Sequence, residues 1–227
     1  MIKAVLIDID NTLLDFDAYV KESMREGFKK FNLGTYEDYM YQVFERINTR
    51  MWQEIERGEL TYNELLKSRW NRIFAELTIS FDGTIFETYF KDCLFDSAIP
   101  VEGSLEMLEY LSKRYILCAA SNGPYEQQVN RLKRGNMLSY FSKLFISEKI
   151  GVSKPSEKFF SHCLNELGNN ILPSEIIMIG DSLTSDIAGA IQSGLKTCFF
   201  DRNMRGKTND LSVDHVINRL TDIRMFL

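Results

Sequence analysis

Lys3-Ala4-Val5-Leu6-Ile7-Asp8-Ile9-Asp10-Asn11-Thr12-Leu13-Leu14-Asp15 is the stretch whose reading decides the fold. Ala4 to Ile7 is an unbroken apolar run with a β-branched bias, the pattern of a strand buried on both faces. It runs into two carboxylates separated by one apolar residue. Alternate residues of an extended strand share a face, so Asp8 and Asp10 are expected to lean the same way. Two acidic groups so placed repel each other unless a cation or a proton sits between them. A solvated acidic turn is the blander alternative, since Asp-Asn favours turns. Asp8 directly after a buried strand weighs against it.

Beyond Asp15 the apolar period becomes helical. Val20, Met24, Phe28 and Phe31 recur at that spacing, as do Met40, Phe44, Ile47, Met51 and Ile55. A stop is expected at Gly58, and Thr61 with Glu64 has the spacing of a capping box for a third helix. A fourth helix carries Ile85, Phe86, Tyr89, Phe90, Cys93 and Leu94. Four amphipathic helices with no strand among them predict a small helical bundle, inserted at residues 17–98.

From Ile99 strands and helices alternate. Strands are expected at Tyr115 to Ala120, Lys143 to Ile146, Ile176 to Ile179, Thr197 to Phe200 and His215 to Ile217. The helices between them carry Leu105, Leu108 and Leu111, then Phe159, Phe160, Cys163 and Leu164, then Ile187, Ala190 and Ile191. Such alternation implies a parallel sheet covered on both faces. The fold class is therefore α/β: a Rossmann-like core domain over residues 1–16 and 99–227, with an α-helical cap domain inserted at 17–98.

The 227 residues are 44% hydrophobic and 26% charged, the balance of an ordinary globular protein. A formal charge of −5 argues against a nucleic-acid partner, which calls for a basic face. No apolar run approaches the roughly 20 residues that span a bilayer, and no signal-peptide pattern precedes the first strand. The four cysteines, Cys93, Cys118, Cys163 and Cys198, are scattered through apolar segments and read as free thiols. A cytoplasmic enzyme without a membrane partner is the expectation; monomer and homodimer stay open.

Ligands of open parallel sheets bind beyond the carboxyl ends of the strands, and four stretches place polar groups there. The first is Asp8-Ile9-Asp10-Asn11-Thr12. The second is Ser121-Asn122-Gly123, whose hydroxyl and turning backbone suit phosphate oxygens but suit a plain strand-to-helix turn as well. The third is Lys154-Pro155, an ammonium aimed from a loop, although an isolated Lys is usually solvated. The fourth is Gly180-Asp181-Ser182-Leu183-Thr184-Ser185-Asp186. There Asp186 also fits a role in offsetting a helix dipole, which explains Asp181 less well. Together they supply carboxylates, one Lys and a hydroxyl, an oxygen-rich set for a hard cation such as Mg²⁺.

D-x-D-x-T, S-N-G, K-P and G-D-x-x-x-x-D, in this order from Asp8 to Asp186, resemble the four motifs of the haloacid dehalogenase superfamily, and the insert is similar to that family's C1-type cap. The resemblance implies Asp8 as nucleophile forming an aspartyl-phosphate, and Asp10 as general acid and then base. It implies Mg²⁺ held by Asp8, the main-chain carbonyl of Asp10 and Asp181, with Asp186 a direct or water-mediated partner. Ser121, Asn122 and Lys154 would hold the phosphoryl group of a small phosphorylated substrate. Members that displace halide lack the second Asp, so Asp10 points to phosphoryl transfer. Trp52, Gly58-Glu59-Leu60-Thr61, Leu65, Arg69 and Ile146 to Val152 resemble bacterial 5′-nucleotidases acting on pyrimidine nucleoside monophosphates. Arg50 and Arg69 are then candidate donors to a base, though Trp52 and Arg69 are equally compatible with bundle packing and a surface salt bridge. A phosphosugar or phosphoglycolate-type phosphatase or a phosphomutase is the alternative on the same scaffold. A phospho-receiver module is a distant one, because receivers are shorter and phosphorylate an Asp on a later strand.

Overall fold

The computed structural model of the protein describes every residue except Arg205, Lys207, Asn209 and Asp210. Its contacts divide into two units, Phe16–Ser97 on one side and Met1–Asp15 with Ala98–Leu227 on the other.

The Phe16–Ser97 unit is four helices: α1 (Phe16–Lys30), α2 (Asp38–Glu56), α3 (Tyr62–Glu76) and α4 (Gly83–Asp96). Thr61 Oγ1 accepts the Glu64 N–H while the Glu64 carboxylate accepts the Thr61 N–H, so α3 starts with the reciprocal cap its sequence predicts. Asp82 caps α4 by accepting the Thr84 N–H at 2.8 Å. The interior is aromatic. The Trp70 ring centroid lies 4.3 Å from that of Phe86, 5.2 Å from Phe90 and 5.4 Å from Phe44. Such contacts stabilise beyond the area they bury.

The other unit is a six-stranded, all-parallel sheet: β1 (Ala4–Ile7), β2 (Ile116–Ser121), β3 (Lys143–Ile146), β4 (Ile176–Gly180), β5 (Lys196–Phe200) and β6 (His215–Ile217). Its helices are α5 (Ser104–Ser112), α6 (Tyr125–Arg134), α7 (Ser147–Ile150), α8 (Glu157–Leu167) and α9 (Ala188–Gln192). Successive β1 residues feed opposite layers. Val5 and Ile7 join Met107, Leu108 and Leu111 of α5 and Leu132 of α6. Ala4 and Leu6 join Phe159, Phe160 and Cys163 of α8 and Ala190 of α9. That two-sided burial is why β1 reads as a continuous apolar run.

The strand order is β3-β2-β1-β4-β5-β6. The chain builds outward from β1 through β2 to β3, then returns to lay β4 on the other side of β1. Between β1 and β4 the direction of build reverses, the place where open α/β sheets form their ligand crevice. All four cysteines are free, and Cys118, Cys163 and Cys198 are buried. Among the described residues, no helix is long and apolar enough to cross a membrane.

Candidate active site

Asp8 is the first residue past β1. Its N–H donates to the Ile179 carbonyl at 2.9 Å, so the ladder with β4 delivers it to the switch point. β4 ends at Gly180, and Asp181 follows. Asp186 returns to the same place through a π-helical turn, Leu183–Ile187, which widens the start of α9. A Cβ on Gly180 would stand 2.2 Å from Asp186 Oδ2, so only glycine lets that carboxylate tuck under the strand end. Carboxylate oxygens of Asp8, Asp181 and Asp186 all lie within 4.8 Å of one another.

Lys154 enters this group from the loop before α8. Its side chain is buried, unlike that of most isolated Lys residues, and the three hydrogens of its ammonium are matched by three acceptors. These are Asp186 Oδ1 at 2.6 Å, the Ala120 carbonyl at 2.6 Å and Asp8 Oδ1 at 2.7 Å. Asn122 holds the base of that side chain: its amide oxygen accepts the Lys154 N–H and its amide nitrogen donates to the Lys154 carbonyl, both at 2.9 Å. The Asn122 side chain is thus engaged in fixing Lys154.

Burial, only partly offset by the Lys154 charge and reinforced by Asp186, pushes the Asp8 carboxyl up to about 7. Burial disfavours the charged Lys154 ammonium, but Asp186 and Asp8 more than compensate and raise it above its ordinary value. Lys154 therefore remains a fixed cation. One ammonium against three carboxylates leaves an excess of negative charge on hard oxygen donors, which fits a divalent cation of the kind that prefers oxygen ligands. Asp8 Oδ1 is taken by Lys154; no described donor takes Oδ2.

Asp10 departs from the expected arrangement. The strand stops at Ile7, and Asn11 takes a left-handed conformation (φ 61°) in the turn that closes on Leu14. The side chains of Asp10 and Asp8 have different partners. Its Oδ1 accepts from Arg131 Nη1 at 2.5 Å and its Oδ2 from Gln128 Nε2 at 2.6 Å. Its side chain stands outside the three-carboxylate group, so any metal role left to it is through the main chain. Thr12, fully buried, donates to Asp181 Oδ1 at 3.5 Å. Ser121, at the end of β2, accepts from the Gly123 N–H at 3.1 Å and from Gln128 Nε2 at 2.8 Å.

Gln128 and Arg131 were not foreseen. In Tyr125-Glu126-Gln127-Gln128-Val129-Asn130-Arg131-Leu132 they look like one solvated helical face, yet they are 0% and 1% exposed. Their spacing of three was the available signal, because it puts both on one side of α6 with Leu132 adjacent.

In the helical unit, Arg69 is neither a surface group nor a free donor. Its guanidinium is buried, forks onto both Glu87 oxygens at 2.6 and 3.1 Å, donates to Asn48 at 2.9 Å and lies over the Phe90 ring. Arg50 is exposed and donates to Glu54. The Trp52 ring is 5.9 Å from that of Tyr62.

The family model of haloacid dehalogenase-like hydrolases matches residues 2–194. The pyrimidine 5′-nucleotidase PynA of Streptococcus pneumoniae is 30% identical over 203 residues, 88% of this chain and 84% of the relative. The pyrimidine 5′-nucleotidase YjjG of Escherichia coli is 26% identical over 223 residues, 98% of this chain and 96% of the relative. The solved HAD-hydrolase YfnB of Bacillus subtilis, bound to magnesium, aligns with a TM-score of 0.91 at 26% identity, covering 100% of this chain and 98% of that one.

Proposed function

Since the chain belongs to the haloacid dehalogenase-like hydrolase family, we propose that it is a Mg²⁺-dependent phosphatase that hydrolyses small phosphomonoesters, with pyrimidine nucleoside 5′-monophosphates as its substrates. The observation that carries the reading is Asp10. It is a second carboxylate two residues beyond the buried Asp8, with both oxygens held and its side chain still 34% accessible. Displacing halide needs a nucleophile alone, whereas displacing an alkoxide also needs a proton donor.

Asp8 attacks the phosphorus in line through Oδ2; the P–O bond to the alcohol breaks, and Asp10 supplies the proton to that oxygen. Water then attacks the aspartyl-phosphate at phosphorus and gives its proton to Asp10, which regenerates Asp8 and releases phosphate. Lys154 and the Ser121 hydroxyl offset the charge of the phosphoryl oxygens. Asp8, Asp181, Asp186 and the main-chain carbonyl of Asp10 would hold Mg²⁺, which when bound supplies positive charge against carboxylate–phosphate repulsion. The pyrimidine preference is supported by the two 5′-nucleotidase relatives and magnesium by the YfnB structure.

Phosphate release across a panel of nucleoside monophosphates, phosphosugars and phosphoglycolate, with and without chelator, tests the reading. Fastest turnover of uridine or thymidine monophosphate, lost on chelation and restored by Mg²⁺, is expected. A phosphosugar or phosphoglycolate as the best substrate would replace the nucleotide assignment, and undiminished turnover without metal would remove Mg²⁺.

A further inference from the structure

Gln128 joins two groups of the site that come from different strands. Its Nε2 donates to Asp10 Oδ2 at 2.6 Å and to Ser121 Oγ at 2.8 Å. The orientation of its amide follows from Arg131: a guanidinium only donates, so the Gln128 atom 3.0 Å from Arg131 Nη1 is the oxygen. Arg131 donates from the same nitrogen to Asp10 Oδ1. Gln128 thus has both amide hydrogens and its oxygen engaged, with no accessible surface.

Ser121 Oγ has two lone pairs, and it accepts both the Gly123 N–H and the Gln128 Nε2–H. With both filled, the hydroxyl has only its proton left to offer. The glycine of Ser121-Asn122-Gly123 belongs to the same device. A Cβ at Gly123 would stand 2.4 Å from Gln128 Nε2, although its backbone conformation is one any residue adopts.

We propose that Gln128 is a positioning residue that sets Asp10 and Ser121 together, holding the Asp10 carboxylate at the leaving-group oxygen and leaving Ser121 a donor to the phosphoryl group, with Gly123 a glycine in order to admit it. The inference rests on the phosphomonoesterase reading. Because the Asp10 proton matters for an alkyl leaving group and little for an activated aryl one, a variant that frees Asp10 should discriminate between substrates.

The experiment measures kcat/KM for uridine monophosphate and p-nitrophenyl phosphate in the full chain and in Gln128→Leu, Gly123→Ala and the double variant. Thermal midpoints show that each is folded. Gln128→Leu keeps the volume and removes the donors; Gly123→Ala keeps Gln128 and displaces its amide, so it serves if Gln128→Leu does not fold. The expected result is a loss of about tenfold or more on the nucleotide, a smaller loss on the aryl ester, and no further loss in the double variant, since both changes break one contact. Wild-type kcat/KM on the nucleotide in either folded variant, equal losses on both substrates, or additive losses would overturn it. Those outcomes in an active parent leave the phosphatase reading standing; a parent that turns over no phosphomonoester removes both.

Discussion

In the helical unit, Arg69 meets Glu87 as one cation and one anion, forked through two hydrogen bonds, with Asn48 taking a further donor and Phe90 under the guanidinium. At the strand ends, one ammonium meets three carboxylates, and Asp8 Oδ2 is left without a described donor. Asp8, Asp186 and Lys154 are buried as Arg69 and Glu87 are, with Asp181 half-buried, yet one assembly is electrically closed and the other open. A closed pair is replaceable by apolar side chains at little cost. Burial first, and then the neighbouring Asp186 charge, disfavours ionisation of Asp8 despite Lys154, so a further positive charge is favoured there. Excess charge, rather than buried charge itself, sets the candidate site apart from the Arg69–Glu87 pair.

The largest expected effect is at the open cluster. Asp8→Asn keeps the shape and removes the attacking charge, so kcat should fall about 10⁴-fold or more while the circular dichroism spectrum and cooperative melting persist. Near-parental turnover of the folded variant would move the nucleophile elsewhere. Lys154→Met should damage stability and turnover together, because it leaves Asp8 and Asp186 buried without their cation. Removing one partner of such a group costs about 3–5 kcal/mol, read from urea unfolding in chelator, and Mg²⁺ should recover part of it. A loss confined to turnover would mean that Lys154 contributes no structural charge balance.

The closed pair should behave in the opposite sense. Glu87→Leu alone strands a buried guanidinium and should cost about 3 kcal/mol. Arg69→Met with Glu87→Leu should restore most of it, with kcat for p-nitrophenyl phosphate within a few-fold of the parent throughout. A double variant less stable than Glu87→Leu would show the pair to be more than self-balanced charge.

A smaller effect separates the regions by pH in metal-free protein. Folded Asp8 holds its proton up to about 7, whereas the unfolded chain ionises it near the ordinary carboxylate value. Between these the folded state binds the extra proton, so this contribution to stability is fully present below the unfolded value and is lost as pH rises through the folded one. The melting temperature of the chelated parent should therefore drop more between mildly acidic and mildly alkaline pH than that of Asp8→Asn. Parallel curves would contradict the assignment.

How much of this was legible in the sequence depended on whether a feature is local. The alternation of Ala4 to Ile7 between two layers, the Thr61 and Glu64 cap and the strand at His215 to Ile217 follow from period and capping chemistry, which neighbouring residues determine. Asp8, Asp181 and Asp186 sit near one another because the sheet lays β4 beside β1, an order that strand–helix alternation leaves open although it implies the parallel sheet. Burial of polar side chains is not local. Lys154 is marked by its motif but not as a buried side chain, Gln128 and Arg131 belong to no motif, and Arg69 is compatible with a base donor, bundle packing or a salt bridge. Each is paired with residues outside its own element, such as Glu87, 18 from Arg69, and Asp10, 121 from Arg131. The partners of Asp10 were not legible for a backbone reason, since extended geometry ends at Ile7 and Asn11 turns left-handed.

The central claim is that Asp8 carries the phosphoryl group between substrate and water. Acid quenching during turnover of uridine monophosphate with Mg²⁺, followed by peptide mass spectrometry, tests it most directly. One phosphoryl group is expected on the peptide that contains the first strand, localised to Asp8 and absent from Asp8→Asn. A phosphoryl group on another residue, or burst-free turnover with no phosphoenzyme at any quench time, would contradict it.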